Sequence, residues 1–260
     1  MSGATGNRRI LLYFALVFVG IAIGLAIPTL HEEVEVKPLP VGILTPVPEG
    51  EDWVNLLDEE HRLGWGNIND DTEIFEISGD SIHIPGKSLG KLRYVGYEIE
   101  NLGNFELHVE AKISPRGNSG IFLRQQPNDP VYRGFEIQVQ DDYGHPPSRN
   151  TTGAIYDVVT PMFNMSFPAG KWNSYDISLN HDRVQIIVNG WKVVDTDLSK
   201  MDTPLGKFEV AYNAIPLEGT LAFQDHGSEA WYRNIYLKKL PPSPPRETDY
   251  VPPDSENASK

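Results

Sequence analysis

The residues with the clearest chemical potential lie in Phe135-Glu136-Ile137-Gln138-Val139-Gln140-Asp141-Asp142. Successive side chains of a strand alternate faces, so Glu136, Gln138 and Gln140 align about 7 Å apart while Phe135, Ile137 and Val139 face a core. The neighbouring run Ile121-Phe122-Leu123-Arg124-Gln125 puts Arg124 on its polar side. A carboxylate, two amides and a guanidinium on a concave sheet face supply the directional donors and acceptors that sugar hydroxyls need. An ordinary solvated sheet face has the same spacing, and the pattern leaves both readings open. A second cluster, Gln224-Asp225-His226-Gly227, offers His226 as a base or as a hydrogen-bonded structural residue. Asp141-Asp142 offers oxygen ligands for a divalent metal ion, or simply a solvated acidic turn.

Elements with period two must position these groups. In Phe105–Ile113 the apolar residues Phe105, Leu107, Val109, Ala111 and Ile113 share one face, and Glu106, His108, Glu110 and Lys112 share the other, the pattern of a half-buried strand. Arg183–Val188 and Trp191–Val194 flank Asn189-Gly190, a pair suited to a hairpin turn with φ > 0 at both positions. Further strands are expected at Ile121–Gln125, Gly134–Gln140, Gly153–Val158, Trp172–Asn180, Lys207–Asn213, Gly219–Gln224 and Trp231–Lys238, with Trp172 and Trp231 in the core. Val54–Arg62 has room for one short helical turn, and long amphipathic helices are missing. Short strands punctuated by Gly, Pro and Asn predict an all-β antiparallel sandwich.

The flanks read differently. Ile10–Ile27 is an uncharged 18-residue run preceded by Arg8-Arg9 and followed by Pro28 and His31-Glu32-Glu33. At about 1.5 Å per residue it covers roughly 27 Å, enough to cross a bilayer as a helix. Positive charge before it and negative charge after it predict a single-pass anchor with the domain outside the cytoplasm, or a secreted domain where the run is cleaved as a signal peptide. The expected organisation is a cytoplasmic N-terminus at 1–9, an anchor at 10–27, a Pro-rich linker at 28–50, the domain at 51–240 and a disordered Pro-rich tail at 241–260. The chain has no cysteine, which excludes thiolate catalysis, Cys-ligated zinc and disulfides. Both Arg8 and Arg9 precede the first acid, so of 22 basic and 36 acidic side chains, 20 and 36 lie beyond the apolar run, a net −16. That charge makes nucleic acid an unsuitable partner.

Six blocks occur in order: Asn118-Ser119-Gly120-Ile121-Phe122-Leu123-Arg124, Gly134–Asp141, Thr152-Gly153-Ala154-Ile155-Tyr156, Pro168–Tyr175, Val188-Asn189-Gly190 and Phe223–Gly227. With Trp53–Asp58 and Leu63-Gly64-Trp65 ahead of them, they resemble the 3-keto-disaccharide hydrolase domain family over about residues 52–240. The resemblance implies a concanavalin-like jelly roll of two antiparallel sheets and action on glycosides already oxidised to a ketone at C3. A C3 ketone acidifies the C2 proton, so one base and an oxyanion stabiliser suffice to expel the aglycone from C1, with water adding afterwards. The paired carboxylates of ordinary glycosidases are not required. Laminarinase-like enzymes carry Glu-x-Asp-x-x-Glu on the comparable strand, where Glu136-Ile137-Gln138-Val139-Gln140-Asp141 has an amide in the middle, which excludes that mechanism.

On this resemblance Glu136 or His226 is the expected base, and Arg124 polarises the C3 carbonyl or binds a hydroxyl. Gln138, Gln140 and Asn118 bind substrate, and Asp141 is a metal ligand or supports one. No cofactor is fixed by the sequence; a divalent metal ion is the candidate. Three departures from the family pattern stand at Asp58-Glu59-Glu60, Asp142 and Asp157. They leave a non-catalytic carbohydrate-binding surface module as the alternative to a glycoside hydrolase or lyase, and a purely structural domain as a third reading.

Overall fold

A computed structural model describes residues 41–68, 73–88, 90–126, 134–206, 210–242, 244 and 246. Those residues hold β1 (Val54–Asn55), β2 (Trp65–Asn67), β3 (Glu76–Ser78), β4 (Ser81–Ile84), β5 (Arg93–Leu102), β6 (Phe105–Ile113), β7 (Asn118–Gln125), β8 (Phe135–Gln140), β9 (Trp172–Asn180), β10 (Arg183–Val188), β11 (Trp191–Asp197), β12 (Gly219–Asp225) and β13 (Ala230–Lys239). One antiparallel sheet runs β11-β10-β9-β6-β13-β4-β3, with β1 added beside β13, and the other runs β2-β5-β12-β7-β8. This is the all-β sandwich that the alternation predicts. The expected anchor at 10–27 lies outside the described residues, and among those described no helix is long and apolar enough to cross a membrane.

Period two sets the packing. Leu107, Val109 and Ala111 of β6, with Tyr175, Ile177 and Leu179 of β9, are buried against Ile121 and Leu123 of β7, Ile137 of β8 and Leu221 of β12. Each such aliphatic side chain contributes about 1.5–3 kcal/mol when removed from water. An aromatic stack crosses the sandwich: Trp65 lies on Phe223 at 5.0 Å and Phe223 on Tyr232 at 3.8 Å. The Tyr232 hydroxyl shares a 2.6 Å hydrogen bond with the Ser119 hydroxyl, which ties the two sheets through a satisfied polar pair.

The hairpin forms as predicted, with φ of 48° at Asn189 and 80° at Gly190. Three expectations change. Gly153–Val158 is not a strand: φ is 81° at Gly153 and 60° at Asp157, so the chain bends and makes only isolated bridges, Ile137 with Ile155 and Ile155 with Val159. Of Lys207–Asn213, residues 207–209 lie outside the description, and Tyr212–Ala214 is a 3-10 turn. Trp172 and Trp231 are half-buried on the outer face of the larger sheet, where Lys112 Nζ stands 4.9 Å from one ring and 4.1 Å from the other.

Both flanks are attached further than composition suggests. Residues 41–45, read as linker, dock on the larger sheet: the Ile43 N–H donates to the Asn189 carbonyl at 2.9 Å and the Thr45 N–H to Ser174 Oγ at 2.9 Å. Arg246, read as tail, pairs with Asp182. Burial of polar bonds decides these contacts, and hydropathy does not report them.

Candidate active site

The outer face of the five-stranded sheet collects the polar side chains of β8. In the β7–β8 ladder Glu136 faces Phe122, Gln138 faces Gly120, and Gln140 faces Asn118. The next ladder pairs Ala222 of β12 with Phe122 and Phe223 with Ile121, which puts Gln224 beside Gly120. β12 in turn pairs Gln224 with Tyr94 and Ala222 with Gly96 of β5. Two rows therefore cross the sheet, Glu136-Phe122-Ala222-Gly96 and Gln138-Gly120-Gln224-Tyr94. Tyr94 meets Phe122 edge-on at 4.9 Å, giving the polar groups an apolar flank.

Glu136 lies flat against the sheet because residue 120 has no side chain. A Cβ on Gly120 would come within 2.3 Å of Glu136 Oε1, far inside van der Waals contact. The Gln138 amide meets only acceptors on one side, Glu136 Oε1 and the Ser119 carbonyl, each at 3.1 Å, so its nitrogen turns there. Its other end meets the Gln140 amide at 2.9 Å. The row is rigid at its edge: the Gln138 N–H donates to the Ala154 carbonyl, and the N–H groups of Gly153 and Tyr156 donate to Gln138 and Glu136 carbonyls.

All of this is sheltered. Glu136 is 8% exposed, Gln138 1% and Gln224 3%. Gln224 Oε1 is nevertheless buried without any hydrogen-bond partner. A buried acceptor left open costs roughly 1–3 kcal/mol, and a sugar hydroxyl donating to it would remove that cost. The charge of Glu136 is felt nearby: the Tyr212 hydroxyl is pushed up by burial first and then by the Glu136 and Asp157 carboxylates, so it stays protonated.

The remaining candidates lie elsewhere. Arg124 has φ of 55°, which breaks the alternation of β7 and turns its side chain away from Glu136. Its guanidinium donates to the His181 carbonyl, buried to 1% exposure. Burial, then the neighbouring Arg246, pull it down to about 10 against the opposing pull of Asp182. The expected juxtaposition of Arg124 with Glu136 is therefore not formed. His226 is exposed beyond the end of β12, four residues past Ala222 and roughly 13 Å along the strand from the Glu136 row. Its neighbour Asp225 accepts the N–H groups of Lys87 at 3.1 Å and Gly227 at 2.8 Å, which makes it a turn residue.

The acidic pair is occupied too. Asp141 accepts the Arg116 N–H at 2.7 Å. Asp142 accepts the Thr152 N–H at 2.7 Å and the hydroxyls of Thr152 at 2.8 Å and Ser166 at 3.1 Å. Among the described residues no group of three or more His, Asp or Glu side chains could hold a metal ion, so Asp141 finds no co-ligands there. Gln224 stands in the second sequence cluster without a role of its own, and Gly120 and Tyr94 have no assigned role in the sequence reading. Continuing period two through Phe223-Gln224 would have found Gln224, whereas Gly120 signals only through a partner two strands' worth of sequence away.

The family described as the 3-keto-alpha-glucoside-1,2-lyase-like domain matches residues 52–238. A Bacteroides thetaiotaomicron 3-keto-disaccharide hydrolase is 32% identical over 171 residues, covering 53% of this chain and 59% of the relative, so the chain spans little more than half of that protein. Two Parabacteroides distasonis structures, each named as a candidate glycosyl hydrolase, share the fold. One has a TM-score of 0.63 and 23% identity, covering 72% of this chain and 99% of its own. The other has a TM-score of 0.64 and 24% identity, covering 76% and 100%. Matched over residues 52–238, the chain belongs to the 3-keto-alpha-glucoside-1,2-lyase-like domain family.

Proposed function

We propose that this protein cleaves glycosides carrying a ketone at C3, with the Glu136 face of the five-stranded sheet as its active site. The observation that carries the reading is the buried Glu136 carboxylate lying over Gly120, beside the partnerless Gln224 Oε1. Glu136 takes the C2 proton, and the electron pair forms an enolate whose oxygen is the former C3 carbonyl. The Gln140 amide is the donor at hand for that oxygen, the Gln138 amide holds the Glu136 carboxylate in place, and Gln224 accepts from a sugar hydroxyl to fix the ring. Collapse of the enolate forms the C1–C2 double bond as the C1–O bond breaks. The aglycone leaves with a proton from solvent, and water added at C1 completes net hydrolysis. A base acting alone contributes about 10²–10⁴-fold, and positioned donors add to it.

The family match and the similarity to the Bacteroides 3-keto-disaccharide hydrolase support the substrate class. Arg8-Arg9 before the apolar run Ile10–Ile27 supports export and single-pass anchoring, with the domain outside the cytoplasm. The test presents the full chain with a chromogenic 3-keto-glucoside and with the unoxidised glucoside. Aglycone release from the keto sugar alone is expected. Release from neither, with measurable sugar binding, would replace the enzyme by a carbohydrate-binding module.

A further inference from the structure

The segment 41–45 is inverted for a strand lying on a sheet. Thr45 turns inward, its hydroxyl donating to Asp176 Oδ2 at 2.6 Å, while Val41, Ile43 and Leu44 point out, 79%, 66% and 38% exposed. Backbone hydrogen bonds hold the segment down, so its apolar side chains are free to face something else. They are not alone. Trp191 Nε1 donates to the Val41 carbonyl at 3.0 Å, and the Trp191 ring meets Phe163 edge-on at 6.4 Å. The Met162 N–H donates to the Val193 carbonyl at 2.8 Å. Met162, Phe163 and Trp191 are 59%, 41% and 39% exposed, so six large apolar side chains surround one hairpin turn.

We propose that this patch rests on a lipid bilayer. The chain itself argues for that occupant. The uncharged run Ile10–Ile27 is followed by only 13 residues before Val41, and a chain of that length spans at most about 45 Å. A bilayer holding the run would keep the patch within that reach, at a high effective concentration. Trp, Phe and aliphatic side chains suit the interfacial zone of a membrane. The cations nearest in sequence to Trp191, Arg183 and Lys192, share the single Asp195 carboxylate, which leaves a net charge of about +1, far short of a polybasic contact. Docking is therefore apolar, and the net −16 beyond the run favours a zwitterionic surface over an anionic one.

The chain has no cysteine, so single-cysteine variants carry one label each. Full-length Ile43→Cys, Phe163→Cys and, outside the patch, Leu63→Cys (85% exposed in the native residue) would be spin-labelled and reconstituted into phosphatidylcholine vesicles. Flotation reports attachment, and relaxation by a water-soluble nickel chelate reports immersion. Labels at 43 and 163 are expected to be shielded about threefold or more relative to 63, with little dependence on salt. Equal accessibility at all three sites overturns the proposal. So does failure to float, or the same shielding in detergent that grows with protein concentration, which would assign the patch to a second copy.

Discussion

Two carboxylate- or imidazole-bearing residues compete for the base, and their surroundings separate them. Glu136 is buried on the face with Gln138 and Gln224, whereas His226 is exposed past the strand end. Glu136→Gln keeps the shape and removes the base, so kcat on a 3-keto-glucoside should fall about 10²–10⁴-fold, while His226→Ala should stay within about threefold of the native rate. The reverse ranking in steady-state kinetics would move the base to His226. Gln224→Leu replaces the open acceptor by an apolar side chain of similar size and should lower kcat/KM about 10–100-fold, the worth of one buried hydrogen bond to substrate. An unchanged kcat/KM would remove Gln224 from the site. Glu136 was legible because strand alternation is local. Arg124 was misread because the φ of 55° that turns it depends on what β7 packs against.

Elements, more than single side chains, hold the site in place. The hairpin between β10 and β11 illustrates the cost of such positioning. Asn189 is fully buried, with φ of 48°. Its Oδ1 accepts the Ser174 N–H at 2.9 Å, and its Nδ2 donates to the Met165 carbonyl at 2.7 Å and to Asn173 Oδ1 at 2.8 Å. Asn189→Ala loses these bonds and leaves a β-carbon residue at positive φ, so about 2–4 kcal/mol should be lost. For a domain of this size that lowers Tm by roughly 5–15 °C. A Tm within about 2 °C of native in a thermal melt would contradict the account. The turn itself was plain from Asn189-Gly190, but the course of the chain after β8 was not. Gly153–Val158 reads as a strand by composition, and only the anchoring of the preceding Thr152 by Asp142 and the positive φ of Gly153 show that it bends along β8.

At the scale of the molecule, buried tyrosines link the fold to pH. Burial first, then Glu100, Asp58 and Glu60, push Tyr97 up to about 12, and burial is also the main cause that pushes up Tyr175, Tyr212 and Tyr232. The unfolded chain releases these protons near pH 10, so the folded state holds more of them above that point. Stability from this source is complete below pH 10 and is lost as pH rises from about 10 to 12. In an alkaline titration, four of the eleven tyrosines should give tyrosinate absorbance only together with loss of near-UV dichroism. Smooth ionisation of all eleven with the fold intact would refute the linkage. The sequence by itself determined the class of fold, the core strands β6–β10, β12 and β13 but not β5, the turn at Asn189-Gly190 and the polar face of β8, because alternation and turn chemistry act over neighbouring residues. Only the tertiary structure decided that Gly120 makes room for Glu136, that Gln224 joins the face and Arg124 leaves it, and that residues 41–45 belong to the domain. Those outcomes depend on strands far apart in the chain, where a few ångströms of packing settle which groups meet.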